Sequence, residues 1–206
     1  GAMSKKPVIV FEGIEGSGKT FHSKLVASYL KKNKVPFIKI REPGGNKNSE
    51  RIRKLILDRK SKFNKDTDLL LYIASRSENI QNLKKNYKKK IILIDRFIDS
   101  TIAYQHYGFG VNSIIINSLN KFILKNFKVN FTFLNIVNNK NMKKRLKIRK
   151  KLNRYDKFSP KFYSRVQKGF LKIANKKKNK YKIIDSNQSI EKNKDIIFKK
   201  INELIK

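Results

Sequence analysis

The chain has no cysteine among its 206 residues. This excludes disulfides and thiolate metal sites and fits a cytoplasmic setting. It also lacks any apolar run near the roughly 20 residues that cross a bilayer. The opening Gly1-Ala2-Met3-Ser4 has no signal-peptide core and reads as a cloning remnant ahead of the natural Met. Acidic side chains are scarce: 15 Asp and Glu stand against 51 Lys and Arg, a formal charge of +36. Such a polycation invites a nucleic-acid reading, because lysines that neutralise phosphates release counterions. The lysines, however, travel with an excess of Asn and Ile, as AT-rich codon usage would produce. They are also spread over helix faces and loops, as at Lys31-Lys32, Lys84-Lys85, Lys88 to Lys90 and Lys176 to Lys178. They therefore read as a solvated surface that speeds encounters with anions, with no specific nucleic-acid partner.

What is present is a globular pattern, 39% hydrophobic, of a size for one domain spanning residues 1–206. Short β-branched runs alternate with helical periodicity, which predicts an α/β fold: a parallel sheet of about five strands flanked by helices in three layers. The strands fall at Val8–Phe11, Phe37–Ile40, Ile91–Ile94, Phe131–Ile136 and Tyr181–Ile184, near-continuous apolar runs suited to burial on both faces. Helices are expected at about 18–33, 48–59, 66–87, 112–127, 139–150, 159–177 and 190–205. Asp66 with Thr67 is the expected cap of the third, and Ser159-Pro160 opens the sixth. Lys147 to Lys157, basic and poor in apolar residues, is a flap or a solvated loop. His22 and His106 stand alone and read as solvent-facing.

Gly13-Ile14-Glu15-Gly16-Ser17-Gly18-Lys19-Thr20 matches G-x-x-x-x-G-K-[ST] directly after the first strand and before an amphipathic helix. Glycines let backbone N–H groups turn around an anion, and the helix start adds partial positive charge. Lys19 supplies a mobile ammonium, and the Thr20 hydroxyl is placed for Mg²⁺. The loop is therefore expected to hold the phosphates of a nucleoside triphosphate. No Asn-Lys-x-Asp is present to read guanine as a GTPase would. The third strand ends Ile94-Asp95-Arg96, an acid followed by a base. An arginine at the carboxyl end of a parallel strand points to a second anion facing the first, as phosphoryl transfer between two nucleotides requires.

Five blocks then carry a resemblance to thymidylate kinase, from Val8 to about Ile205: FEGIEGSGKT (11–20), REPGG (41–45), LLLYIASRSEN (69–79), DRFIDSTIAYQ (95–105) and the basic stretch at 145–156. The resemblance implies phosphorylation of dTMP by ATP with Mg²⁺, and a homodimer whose contact the 66–87 and 112–127 helices would supply. It implies that Arg96 and Arg53 grip the dTMP phosphate, as guanidinium forks match phosphate oxygens. Tyr72 would stack on thymine, Arg76, Thr101 and Gln105 would read its edge, and Tyr104 would lie under the sugar. Glu15 would approach the acceptor, Asp95 with Thr20 would serve the metal, and Glu42-Pro43 would shape the turn beside the acceptor. Glu12 reads as structural.

In the bacterial subtype that the sequence resembles, a short basic lid, here about 143–157, supplies the arginine over the transferring phosphate. Arg149 and Arg154 are the lid candidates, beside Arg145, Lys147 and Lys150, since Glu15-Gly16-Ser17 holds no arginine. The chain departs from the family where Tyr72 replaces the commoner Phe and where Gln105-His106-Tyr107-Gly108-Phe109-Gly110 lacks the usual arginine. Asn153-Arg154-Tyr155-Asp156 stands for Asp-Arg-x-Glu, and Phe21 for a second threonine. Two other readings stay open: a kinase of another monophosphate such as dUMP or CMP, and a nucleic-acid-binding P-loop ATPase.

Overall fold

A computed structural model describes residues 5–206, so the expected cloning remnant at 1–4 lies outside the described residues. Five strands, β1 (Val8–Glu12), β2 (Phe37–Arg41), β3 (Ile91–Asp95), β4 (Phe131–Ile136) and β5 (Tyr181–Asp185), form one parallel sheet in the order β2-β3-β1-β4-β5. Each begins where the apolar run predicts, and four extend one residue further. Side chains alternate across the sheet as the strand period demands. Ile9 and Phe11 pack towards Val26 and Leu30 of α1 (Lys19–Lys32) and Ile197 and Ile201 of α8 (Ile190–Leu204). Val8, Val10, Ile92 and Ile94 pack the other way, with Ile80 and Leu83 of α3 (Lys65–Asn86). The sheet is thus covered on both faces, with β1 in the middle.

The remaining helices are α2 (Lys47–Leu57), α4 (Ile98–Thr101), α5 (Ser113–Leu124), α6 (Asn139–Ile148) and α7 (Pro160–Lys176). Short polar side chains start most of them by accepting an orphan backbone N–H. Ser159 accepts from Phe162 N, with Pro160 in the first turn, as expected. The cap of α3 is different: Asn64, extended at φ −68°, ψ 166°, accepts from Thr67 N at 2.9 Å. Asp66 and Thr67 lie inside the first turn, where their backbone is already helical. Beyond α4 the chain continues as a π-helical segment, Ile102–Gly108, in which Phe109 N–H bonds to the Tyr104 carbonyl five residues back. Such a bulge re-aims side chains, and π turns cluster at functional sites.

Because all five strands run the same way, the turns leading into them share the amino edge of the sheet, opposite the P-loop. Lys5-Lys6, Lys34, Lys88 to Lys90, Lys128 and Lys180 all sit there, exposed. Lysines dispersed in sequence are therefore gathered in space, and the sequence reading of a scattered surface is corrected on that point. The capping assignment is testable by denaturant unfolding. Asn64→Ala costs about 1 kcal/mol, whereas Asp66→Ala costs only a few tenths, roughly the value of one charge at a helix start.

Candidate active site

At the end of β1 the backbone turns through Gly13, Gly16 and Gly18, at φ 148°, 74° and 85°. A Cβ at Gly13 would lie 2.4 Å from Ser17 Oγ and 2.7 Å from the Asn135 carbonyl, so the loop closes this tightly only with glycine. Ser17 N–H folds back onto the Ile14 carbonyl, and α1 starts at Lys19. The register of β1 with β3 pairs Phe11 with Asp95, so the strand-end acid stands beside the loop. Lys19 Nζ lies 2.7 Å from Asp95 Oδ1, and the Thr20 hydroxyl donates to Oδ2 at 2.8 Å. Burial acts to raise the Asp95 pKa, yet Lys19 and the Thr20 hydroxyl hold it below the ordinary value, so the carboxylate stays charged.

The next residue, Arg96, has φ 73°, a left-handed conformation uncommon for a non-glycine residue and frequent at functional sites. Its N–H is tied to the Phe11 carbonyl. The side chain is buried and lies over the Tyr104 ring, 5.1 Å from its centroid. One guanidinium nitrogen reaches Glu15 Oε1 at 2.9 Å and another reaches Ser100 Oγ at 3.0 Å. Arg149 comes from the far side, 3.5 Å from Glu15 Oε2 and 2.6 Å from Asp156 Oδ1. Burial pushes Glu15 up, but Arg96, then Lys19 and Arg149, outweigh it and leave the carboxylate below its usual range. Beneath Arg96, Glu12 is fully buried and accepts from the N–H of Phe97 at 3.3 Å, the N–H of Ser100 at 2.9 Å and the Ser100 hydroxyl at 2.5 Å. The structural reading of Glu12 agrees: it anchors the turn that carries Arg96.

Across the cleft, Arg76 is buried to 1% exposure and donates from Nε to Glu42 at 2.9 Å, from Nη2 to Thr101 at 3.0 Å and from Nη1 to Asn120 at 2.6 Å. Glu42 Oε2 is buried with no partner. Arg53 donates to the Pro43 carbonyl at 2.7 Å, and Gln105 donates to the Tyr155 hydroxyl at 3.2 Å. Tyr72 meets Tyr155 edge to face at 5.7 Å. Glu42, Pro43, Arg53, Tyr72, Arg76, Arg96, Thr101, Tyr104 and Gln105 all line one cavity of about 250 Å³, and Glu15, Lys19, Thr20, Asp95 and Arg149 line the same cavity. Every residue that the sequence assigns to the acceptor side is thereby brought together.

Some assignments shift. Arg154 does not reach the cavity: its Nε donates to the Ile56 carbonyl at 2.8 Å and its Nη2 pairs with Asp68 at 2.6 Å, with its plane against Phe63 and Tyr155. Arg145 grips the carbonyls of Gly16 and Ser186, both at 3.0 Å, and so ties α6 to the back of the P-loop. His22 is buried, not solvent-facing, with Nδ1 2.6 Å from Asn135 Nδ2, and burial lowers its pKa. His106 is half-buried, with Nδ1 2.7 Å from the Val111 carbonyl. Phe97, Ser100, Asn153 and Tyr155 also line the cavity and were missed. A signal existed for Asn153, because Asn153 and Asp156 have the spacing of a capping box and form one here.

A phosphate loop with its lysine and threonine on a strand-end acid, opposite a cavity walled by arginines, defines a P-loop phosphotransferase acting between two phosphorylated ligands. Comparison with known proteins narrows the class. The thymidylate kinase family model matches residues 11–197. Thymidylate kinase from Kosmotoga olearia is 36% identical over 186 residues, 89% of each chain, and that from Sulfurihydrogenibium sp. is 40% identical over 185 residues, 88% of this chain and 90% of the relative. The crystal structure of thymidylate kinase from Ehrlichia chaffeensis superposes with a TM-score of 0.76 at 33% identity, covering 97% of this chain and 99% of that one. The chain belongs to the thymidylate kinase family, and its reaction is the phosphorylation of dTMP by ATP.

Glu12 supplies a pH test. Burial raises its pKa from 4.5 to about 7, against the opposing pull of Arg96. Between those values the folded chain keeps a proton that the unfolded chain has released, so this group's contribution to stability falls as pH rises through the window. From pH 5 to pH 8 the wild type is expected to lose up to about 3 kcal/mol more than Glu12→Gln, measured by thermal unfolding. Parallel profiles would refute the raised value.

Proposed function

We propose that the transfer runs between two phosphate cradles facing each other across the carboxyl edge of the sheet, with the P-loop holding ATP and Arg96 and Arg53 holding the dTMP phosphate. The observation that carries this reading is the convergence of Arg96 and Arg149 on Glu15 at the mouth of the P-loop. Guanidinium groups aimed at one carboxylate are already placed for phosphate oxygens, which present the same acceptor geometry with more charge. Both ligands arrive ionised, so the chain needs no strong general base. Its work is positioning and charge neutralisation.

The parts divide as follows. Backbone N–H groups of Gly13 to Thr20 and the Lys19 ammonium hold the donor phosphates. Thr20 and Asp95 offer a hydroxyl and a charged carboxylate 2.8 Å apart, hard oxygen donors that fit Mg²⁺. Among the described residues no cluster of three His, Cys, Asp or Glu exists, and Mg²⁺ suits such a site because it takes its other ligands from phosphates and water. Bound there, the ion would neutralise phosphate charge. Tyr72 stacks on thymine, while Arg76, fixed by Glu42, Thr101 and Asn120, forms a rigid wall with Thr101 and Gln105 for the base edge. Tyr104 lies under the sugar. The lid is the segment about 143–157. Arg149 is its covering cation, and Arg154, held by Asp68, anchors its base.

The chain works as a cytoplasmic homodimer. Ile115 and Phe122, seven residues apart on one face of α5, are exposed beside Ile114, and Leu70 is exposed on α3, which packs against α5. An apolar patch of this kind marks an interface. Phe122→Lys should shift the mass seen by light scattering from dimer to monomer. An unchanged mass would place the contact elsewhere.

A coupled ADP-release assay over dTMP, dUMP and CMP tests acceptor choice, with dTMP expected to dominate. Arg96→Ala raises the apparent KM for dTMP by roughly 10- to 100-fold, the worth of one or two charge-assisted bonds, and leaves the KM for ATP nearly unchanged. Arg149→Ala lowers kcat instead. A dTMP KM unaffected by Arg96→Ala would remove Arg96 from the acceptor site.

A further inference from the structure

The chemistry occupies one edge of the sheet, while much of the positive charge sits at the other. The segments entering the five strands, residues 5–7, 31–36, 84–90, 121–130 and 176–180, contain no Asp or Glu, and more than half of their residues are lysine. Lysine is only about a fifth of the whole chain. A uniform codon bias would not concentrate it at one edge. Helix C-termini favour cations through the macrodipole, which accounts for Lys31, Lys32, Lys84 and Lys85. It does not account for Lys5, Lys6, Lys88 to Lys90, Lys128 or Lys180, which lie outside helices of more than one turn. Among the described residues Lys177 is the one lysine of this edge in an ion pair, with Asp99 at 3.4 Å.

This edge is also concave at its centre. A cavity of about 350 Å³ opens where β3, β1 and β4 begin, lined by Lys5, Lys6, Tyr87, Asn126, Lys128 and Asn130. Tyr87 is half-buried, backed by Phe127 at 5.7 Å between ring centroids, and Lys5 Nζ lies 5.0 Å from its ring. A basic track around a recessed aromatic ring is the arrangement by which proteins hold single-stranded nucleic acid: phosphates follow the charges and a base lies against the ring. Anionic lipid shares the phosphate chemistry. A ring set inside a cavity, however, suits a flat base better than a bilayer surface.

We propose that the amino edge of the sheet binds single-stranded nucleic acid without sequence preference, its phosphates on Lys5, Lys6, Lys88 to Lys90 and Lys128 and one base on Tyr87. The kinase cleft lies at the opposite edge, so a bound strand leaves it open to ATP and dTMP. This goes beyond the phosphoryl-transfer reading and does not depend on it.

The test is fluorescence anisotropy of the full chain with a labelled mixed-sequence DNA strand lacking a 5′-phosphate, titrated over a range of salt. The triple variant Lys88→Glu, Lys89→Glu, Lys90→Glu should weaken binding at least tenfold and flatten the slope of log K against log salt by about 2, at roughly 0.7 per lost phosphate contact. A control triple of equal charge change, Lys161→Glu, Lys168→Glu, Lys192→Glu on α7 and α8, should weaken it less than threefold. Tyr87→Leu, which keeps the apolar packing, should weaken it several-fold with the slope unchanged. Turnover of dTMP should be the same in all of them. Equal losses in the two triples would mean that net charge alone drives binding, and the proposal would fall. It would fall equally if dTMP with ATP displaced the strand, or if anionic phospholipid vesicles bound this edge and the strand did not.

Discussion

Phe11 pairs with Asp95 across β1 and β3, and the geometry of the cleft follows from that register. It puts the end of the first strand, with its phosphate loop, level with the end of the third, with its Asp-Arg pair. Lys19 and Thr20 then find both oxygens of Asp95, and Arg96, one residue on, finds Glu15 inside the loop. A one-residue slip would turn Asp95 to the other face of the sheet and send Arg96 after it. Register is held because both strands are buried on both faces, so a slip would leave Ile92, Leu93 and Ile94 facing the wrong layers. The packing of the core and the alignment of the P-loop with Asp95 and Arg96 are thus one constraint.

That coupling explains what the sequence made legible. The strands and the P-loop are local patterns: β-branched runs, a glycine spacing, a lysine before a helix. Arg96 was legible from its place at a strand end, whereas Arg53, Arg76 and Gln105 were legible only by family resemblance, because no local spacing encodes their meeting in one cavity. Partners distant in sequence were legible neither from resemblance nor from local pattern. Arg154 looks like a free lid cation until Asp68, 86 residues away, is seen to hold it. His22 looks like a polar residue on an exposed helix until Asn135, 113 residues away, closes over it. The π-helical turn was illegible for a related reason. Within it Gln105 bonds to Tyr155, and Tyr104 packs against Tyr155 and Phe162, partners some 50 residues or more away that the local sequence does not announce.

The scarcity of acid sharpens the division of labour among the basic residues. Of the 15 acidic side chains, Glu12, Glu15, Glu42, Asp68, Asp95, Asp99 and Asp156 are buried or nearly so, mostly around the cleft. Their close partners are chiefly arginine: Arg96 and Arg149 on Glu15, Arg76 on Glu42, Arg154 on Asp68. A planar fork makes two directed bonds and keeps its charge when buried, whereas a buried ammonium loses charge readily. Lysine dominates where water does the solvating and the demand is only for charge. A surface can therefore accumulate lysine with little effect on the cleft, provided the arginines stay. The exception within the site is Lys19, a compact ammonium held 2.7 Å from Asp95.

The two edges of the sheet then differ in kind as well as in sign. At the carboxyl edge Lys19, Arg53, Arg76, Arg96 and Arg149 are each held by a nearby acid or carbonyl, so the field there is local and directional. At the amino edge the lysines are mostly unbalanced, and their field extends into solvent over about a Debye length, roughly 8 Å at physiological salt. Paired, directed charge and unpaired, diffuse charge thus sit on opposite edges of the sheet. Under the reading proposed above, the acceptor is selected by arginines that it displaces from carboxylates, and the amino-edge charge, a strand's length of roughly 16 Å away and so beyond the Debye length, takes no part in that choice.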